Sequence, residues 1–190
     1  MPRVHQMVFA FSMVALSWHG MLAVHEFGHV AGAWLTGSQV QRVVLHPLAI
    51  SRTDVFPNPH PAIVVWCGPV VGCLLPIGTW WCWKHRNGAL PRLLQFFAGF
   101  CSIANGAYLA IGVFDQVGDC REMLKTGTPA WVLIAFGVVT IPTGLLLWHK
   151  LGSPRHFLAN ADQVPKRMAW ITLTILAAYW LIAFTRSPAQ

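Results

Sequence analysis

The sequence predicts an all-α polytopic membrane protein with about five transmembrane helices and a short β-hairpin-like insertion after the first. Of its 190 residues, 55% are hydrophobic and only 10% are charged, whereas a soluble domain carries about 25% charged residues. Five stretches are long and apolar enough for a membrane span, which needs roughly 20 residues. They are Val4 to Leu35, Pro61 to Trp83, Leu93 to Phe114, Thr128 to Trp148 and Met168 to Thr185.

The rest of the composition fits a protein that lies in a lipid bilayer. The formal net charge is +7, but the basic residues fall in short loops beside the spans, as membrane-flanking charge does, and they predict no nucleic acid partner. The five cysteines form no CxxC pair and therefore predict small core residues rather than a disulfide framework. Because little chain remains between the spans, we predict one membrane-embedded domain over 1-190, with a core at 5-125 and additional helices at 128-149 and 168-185.

The first apolar stretch stands out by its length and by its single acidic residue. As one helix, Val4 to Leu35 would extend about 48 Å, beyond a hydrocarbon core of about 30 Å. It contains no Lys, Arg or Asp, and Glu26 is its only acid. A carboxylate within a membrane span is costly, so by default it indicates a functional site.

The segment after this stretch has the composition of short strands. The first helix should end at Thr36-Gly37-Ser38, and residues Val40 to Ile50 are rich in β-branched and aliphatic side chains. Prolines then follow up to Pro61. We predict one or two short strands in a hairpin-like insertion, with an ordinary interfacial loop as the alternative. A strand in this position could pair its edge with an extended substrate backbone.

Glu26 belongs to the pentapeptide His25-Glu26-Phe27-Gly28-His29. Residues i and i+4 share one face of a helix, so His25 and His29 can present ring nitrogens to a single metal ion. Glu26 lies one position further round the helix, placed to take a proton from metal-bound water. This is the signature of zinc metallopeptidases, here at membrane depth. The alternatives are haem ligation and a histidine pair that is hydrogen-bonded within the bundle.

The third metal ligand must come from outside this motif. A catalytic zinc takes three protein ligands and leaves a fourth position open for water. The chain has six acidic residues, and two of them, Asp115 and Asp119, follow the third span. Either carboxylate could reach a metal ion from the end of a span, so both are candidates.

Other residues in the spans favour packing roles. The glycine pairs Gly28 and Gly32, and Gly68 and Gly72, have the small-xxx-small spacing of closely packed membrane helices. His19 and the remaining histidines have no spacing that pairs them as ligands. We expect those histidines at interfaces or in loops.

These features together resemble the site-2 protease family of intramembrane zinc metalloproteases. The resemblance covers roughly residues 5 to 125 and rests on the HExxH helix, on Gly68-Pro69 in the second span and on the stretch from Asn105 to Asp119. Members of that family have an HExxH helix, a following β-hairpin, a Gly-Pro-containing helix and a later Asn…Asp-Gly segment that supplies the third ligand. They cleave substrate helices within the bilayer.

The resemblance implies an intramembrane zinc metalloendopeptidase that hydrolyses peptide bonds of membrane-spanning substrates. It implies one Zn2+ ion held by His25, His29 and Asp119. Glu26 would be the general base, zinc-activated water the nucleophile, and Asn105 would bind or orient the substrate backbone. The expected setting is a multi-pass protein of a bacterial cell membrane, with a membrane-protein substrate and the lipid bilayer as its partners.

The sequence also departs from the family pattern. Asp119 is followed by Cys120 rather than Gly, and the usual proline between the Asn and the Asp is absent. The interval from Asn105 is longer than the common spacing, which Asp115 would match better. We prefer Asp119 because Val117-Gly118-Asp119 resembles the family's turn into a helix, and Asp115 is the alternative ligand. The alternative functions are a non-catalytic membrane protein that binds a metal or haem, and an inactive protease homologue that acts as a binding partner.

The sequence carries two opposed indications of the orientation in the membrane. With five spans, eight basic residues lie on the side of the N-terminus and five on the opposite side. The positive-inside rule then places the N-terminus in the cytoplasm and the motif toward the outer face. The resemblance implies the reverse, with the motif nearer the cytoplasm.

Overall fold

A computed structural model describes residues 4–46, 50–152 and 166–186 of the chain. Residues 47–49 at the end of the β-branched stretch and residues 153–165 between the last two predicted spans lie outside the described ranges, and with them His156, one of the histidines expected at an interface or in a loop. The described ranges contain six helices and one two-stranded antiparallel sheet. The elements are α1 (Val4–Leu35), β1 (Val40–Val44), β2 (Arg52–Val55), α2 (Pro61–Trp83), α3 (Leu90–Asp115), α4 (Gly118–Lys125), α5 (Ala130–His149) and α6 (Lys166–Arg186).

The helices confirm the predicted all-α polytopic fold class. Five of those described are long and apolar enough to cross a membrane, all but the short α4. The first two coincide with the predicted spans. Each of the other three begins two or three residues away from the predicted first residue. Helix α3 starts at Leu90 because Pro91 fits a first turn, where its missing N–H would have no intrahelical partner.

The long helices pack side by side, and small residues lie where they approach most closely. Helix α1 packs against α2 and α6, α2 against α3, and α3 against α5. A side chain on Gly28 would collide with the backbone of α2 at Cys67, and one on Gly32 would collide with the Cys67 side chain. The predicted packing role of these two glycines is therefore confirmed, and it brings the motif of α1 directly against α2.

The insertion after α1 is a β-hairpin, so the interfacial-loop alternative is wrong. Strands β1 and β2 pair in antiparallel register, with Val43 opposite Thr53. The base of the hairpin is closed by backbone hydrogen bonds between Gln39 and the segment Phe56–Pro57. The hairpin lies beside α1, with a hydrogen bond from Thr53 to Glu26.

A tight reversal of the chain follows α3 and returns the next helix to the bundle. Helix α3 is capped by Gln116 in the left-handed conformation, with a φ of 50°, and Gly118 has a φ of +55°. A glycine adopts that conformation without the steric cost that a side chain would bring. The reversal packs α4 against α2 and α3, with the buried Cys120 and Met123 in an apolar cluster that also contains Leu109.

Candidate metal centre

The two motif histidines form a close pair inside the bundle. His25 and His29 lie one helical turn apart on α1, and each is only 6% exposed. Their Nε2 atoms are 3.1 Å apart. The two histidines therefore lie on one face of the helix, as their spacing predicted, and both Nε2 atoms are directed at the same point.

Asp119 brings a carboxylate to the same point. Its Oδ2 atom lies 2.7 Å from Nε2 of His25 and 3.3 Å from Nε2 of His29. The three ligand atoms lie within 4.8 Å of one another, as in a group that could hold a metal ion. Asp115, the alternative ligand, is exposed at the end of α3 and does not belong to this group. The reversal at Gln116 to Gly118 explains the difference, because it carries the later acid back toward α1.

Each imidazole is oriented by a second hydrogen bond on its far side. Nδ1 of His25 lies 2.6 Å from Oδ1 of Asn105, and Nδ1 of His29 lies 2.9 Å from the backbone oxygen of Val64. Since both partners are carbonyl oxygens, which only accept, each Nδ1 carries the hydrogen. Outer-shell bonds of this kind fix the tautomer of metal-binding histidines. They leave both Nε2 atoms directed at Asp119.

Asn105 lies inside the helix bundle, and its side chain is only 1% exposed. Its expected part in binding or orienting a substrate backbone stays a prediction. Besides the contact with His25, its Nδ2 donates to the backbone oxygen of Cys101 at 2.9 Å. Gly72 of α2 makes room for this amide, because a Cβ there would approach it to 2.9 Å. In this structure Asn105 therefore contacts and orients a histidine of the site.

The electrostatics of the cluster favour a cation at its centre. Two Nε2 atoms and one carboxylate oxygen converge, and three electron-pair donors at these distances repel unless a proton or a metal ion lies among them. When protons lie on the two Nε2 atoms, burial still raises the pKa of Asp119, but the hydrogen bonds and positive charge of His25 and His29 lower it by more, so its pKa is below the usual range. Asp119 is therefore a carboxylate, as a metal ligand must be.

Glu26, the acidic residue of the motif, lies beside this cluster. The residue is 2% exposed, and its Oε2 accepts a hydrogen bond of 2.7 Å from Thr53 Oγ1. An acidic side chain this deeply buried is rare unless it is paired or serves a function.

Gly68 of α2 forms the opposite wall of the site. A Cβ at this position would overlap the Cε1 and Nε2 atoms of His29 and would reach Nε2 of His25 at 3.0 Å. The packing role predicted for Gly68 therefore concerns the two motif histidines, which contact this position directly. Only a residue without a side chain leaves room for the two imidazole rings.

Sequence reasoning missed two further residues that contact the site. The hydroxyl of Tyr108 accepts the backbone N–H of Asp119 at 2.9 Å, and Thr53 donates to Glu26. Tyr108 was detectable in principle, since it lies three positions after Asn105 and so shares its helix face. No sequence signal identified Thr53, because its contact depends on where the hairpin packs.

His19 also differs from expectation. It was assigned to an interface or loop, but it is a buried residue of α1, 7% exposed. Its Nε2 accepts the indole N–H of Trp180 from α6 at 2.9 Å. This residue therefore has a packing role between two long helices.

Comparisons with protein-family models, with curated proteins and with solved structures found no match for this chain. The assignment of a function therefore depends on the geometry and chemistry of the site.

Proposed function

We propose that this chain is an intramembrane zinc metalloprotease that hydrolyses peptide bonds of membrane-spanning substrates. One observation carries the proposal: two imidazole nitrogens and a carboxylate oxygen converge within 4.8 Å in a bundle of apolar helices. They do so beside the buried carboxylate of Glu26. A purely structural core would gain little from four titratable groups in one place, because each is costly to bury.

The donor set suits zinc in a catalytic rather than a structural role. Catalytic zinc sites commonly have three protein ligands drawn from His, Asp and Glu, with a fourth position left to water or substrate. His25, His29 and Asp119 supply two nitrogens and one oxygen, which matches this pattern. When bound, zinc lowers the pKa of a coordinated water to about 7 and polarises a carbonyl group.

The protein's own residues have separate tasks in this proposal. Glu26 accepts a proton from the attacking water and later returns it to the leaving amine. Asn105 and the backbone oxygen of Val64 hold the two imidazoles in one tautomer. The substrate helix must unwind locally at the site, since a helical backbone keeps its carbonyls hydrogen-bonded within the helix.

The proposed setting is a bacterial cell membrane, with a membrane protein as substrate. The five long apolar helices fit a multi-pass protein, so the site would act on segments that share the bilayer. A water-filled route to the site is needed, because hydrolysis consumes water and the bilayer core contains none.

Other metal chemistry is distinguished by measurement. Two His and one carboxylate also hold iron(II) in some oxygenases. Haem suits the geometry less well, because the two nitrogens are 3.1 Å apart and converge on one point with a carboxylate. An inactive homologue would keep the bundle but would lack a bound metal or turnover. The feature of this chain that favours that alternative is Cys120, which follows Asp119 where the family pattern has Gly.

The first experiment is elemental mass spectrometry of detergent-purified protein. We expect about one zinc per chain in the wild type, and loss of that zinc in His29→Ala and Asp119→Ala. The matched control is Asp115→Ala, which removes an exposed acid four residues away and should retain the metal. Iron in place of zinc, or no metal in a folded wild-type protein, would contradict the proposal.

The second experiment tests hydrolysis directly. A panel of single-span model proteins with Gly- or Pro-weakened helices is reconstituted with the wild type or with Glu26→Gln. Cleavage by the wild type and its loss in Glu26→Gln, with zinc retained, would support a protease. Equal cleavage by both would exclude Glu26 as the general base.

A further inference from the structure

We infer that Thr53 of the hairpin is a positioning residue that holds the Glu26 carboxylate in the orientation needed for proton transfer. This inference rests on the proposed function, in which Glu26 is the general base. It assigns to the hairpin a task within the site itself.

The geometry of the contact is specific. The hydroxyl of Thr53 donates to Oε2 of Glu26 at 2.7 Å and lies 3.4 Å from the backbone oxygen of the same residue. Among the described residues, Thr53 is the hydrogen-bond donor to the Glu26 carboxylate. Since the hydroxyl has a single proton, the shorter contact to Oε2 is the one that fixes the carboxylate end of the side chain.

The position of Thr53 follows from strand alternation. Successive side chains of a strand point to opposite faces. Arg52 and Asp54 are about half exposed and pair with each other at 3.3 Å, away from the protein, whereas Thr53 faces α1. Thr53 is also opposite Val43 in the strand pair. A slip of one residue in β2 would replace the hydroxyl by a charged side chain beside Glu26.

Glu26 needs an external partner because α1 alone does not orient it. A glutamate side chain has three rotatable bonds, so its carboxylate can take several positions from one backbone site. A general base must lie within hydrogen-bond reach of the proton it takes, and a misplacement of about 1 Å can cost on the order of 100-fold in rate. A short bond from a strand packed on α1 supplies the missing constraint.

The activity test uses substitutions at Thr53 that distinguish the effect of the hydroxyl group from the effect of the side chain's shape. Thr53→Val keeps the shape and removes the donor, and we expect kcat to fall roughly 10- to 100-fold while KM and zinc content stay close to wild type. Thr53→Ser keeps the donor and should restore most of the lost kcat. Thr143→Val is the matched control, because that hydroxyl donates within its own helix α5, to the backbone oxygen of Val139.

A second readout does not require turnover. Glu26 and Glu122 are the only glutamates in the chain, so the exposed Glu122 can be changed to Gln, leaving Glu26 as the single glutamate. Cell-free synthesis with glutamate labelled by 13C at the side-chain carboxyl then gives one NMR resonance. We expect Thr53→Val to shift it and Thr53→Ser to leave it near its original position.

The outcomes separate the inference from the proposed function. If the wild type cleaves, Glu26→Gln does not, and Thr53→Val cleaves like the wild type, then the inference is wrong and the protease proposal stands. If no variant cleaves but the resonance shifts only in Thr53→Val, the positioning contact is supported and the protease proposal fails. An unshifted resonance in Thr53→Val overturns the inference whatever the activity.

Discussion

Replacement of Asn105 by Leu should weaken zinc binding roughly 10- to 100-fold, which is the usual effect of removing an outer-shell partner of a metal ligand. The substitution keeps the approximate size of the side chain and removes the oxygen that lies 2.6 Å from Nδ1 of His25. The Nδ1–H group of His25 is then buried without a partner whenever Nε2 binds the metal. Such a buried unsatisfied donor costs about 1–3 kcal/mol, and 1.4 kcal/mol corresponds to tenfold in affinity.

The assay is a zinc titration in competition with a chromophoric chelator, on detergent-purified protein that has first been stripped of metal. The matched control is Gln95→Leu on the same helix. It also removes a part-buried amide that donates to a backbone oxygen, here that of Leu147 at 2.9 Å. The control should bind zinc like the wild type and should match Asn105→Leu in helical content by circular dichroism. Equal zinc affinity of Asn105→Leu and the wild type would refute the assigned role of Asn105.

Two further predictions concern residues that shape the site. Gly68→Ala should lose zinc binding, measured by elemental analysis, because the added methyl group overlaps the ring of His29. The control is Gly78→Ala on the same helix, where a Cβ meets open space. This control should keep its zinc and should gain up to about 1 kcal/mol of helix stability in thermal unfolding. Tyr108→Phe should reduce the free energy of zinc binding by about 1 kcal/mol, because the backbone N–H of Asp119 loses its acceptor. In the zinc titration this corresponds to roughly fivefold weaker binding. An unchanged affinity would contradict the prediction.

Local patterns in the sequence predicted the parts of the site that are local in the fold. His25 and His29 could be placed on one face because helical geometry fixes the relation of residues four apart. The hairpin was predicted from the β-branched stretch Val40 to Ile50; β1 lies in that stretch, and β2 follows it, before Pro61. In these cases the sequence spacing itself determines the spatial relation.

The contacts that complete the site join segments far apart in the chain, and no spacing rule specifies them. The Asp119 contact with His25 spans 94 residues, and the choice between Asp119 and Asp115 depended on a reversal whose direction is set by two left-handed residues. Trp180 reaches His19 across 161 residues. A sequence pattern can nominate such residues, but only the packing of the helices pairs them.

The three candidate metal ligands differ in their exposure to solvent. The His25 and His29 side chains are each 7% exposed, whereas the Asp119 side chain is 22% exposed. Asp119 lies in the first turn of α4, a helix outside the long apolar spans that carries the exposed ion pair of Glu122 and Lys125. Charged side chains of this kind favour an aqueous or interfacial position over a lipid one. The most exposed of the three candidate ligands therefore lies in a short helix with charged side chains. In the proposed mechanism, the water that hydrolysis consumes would enter from the α4 side, while the two imidazoles stay buried.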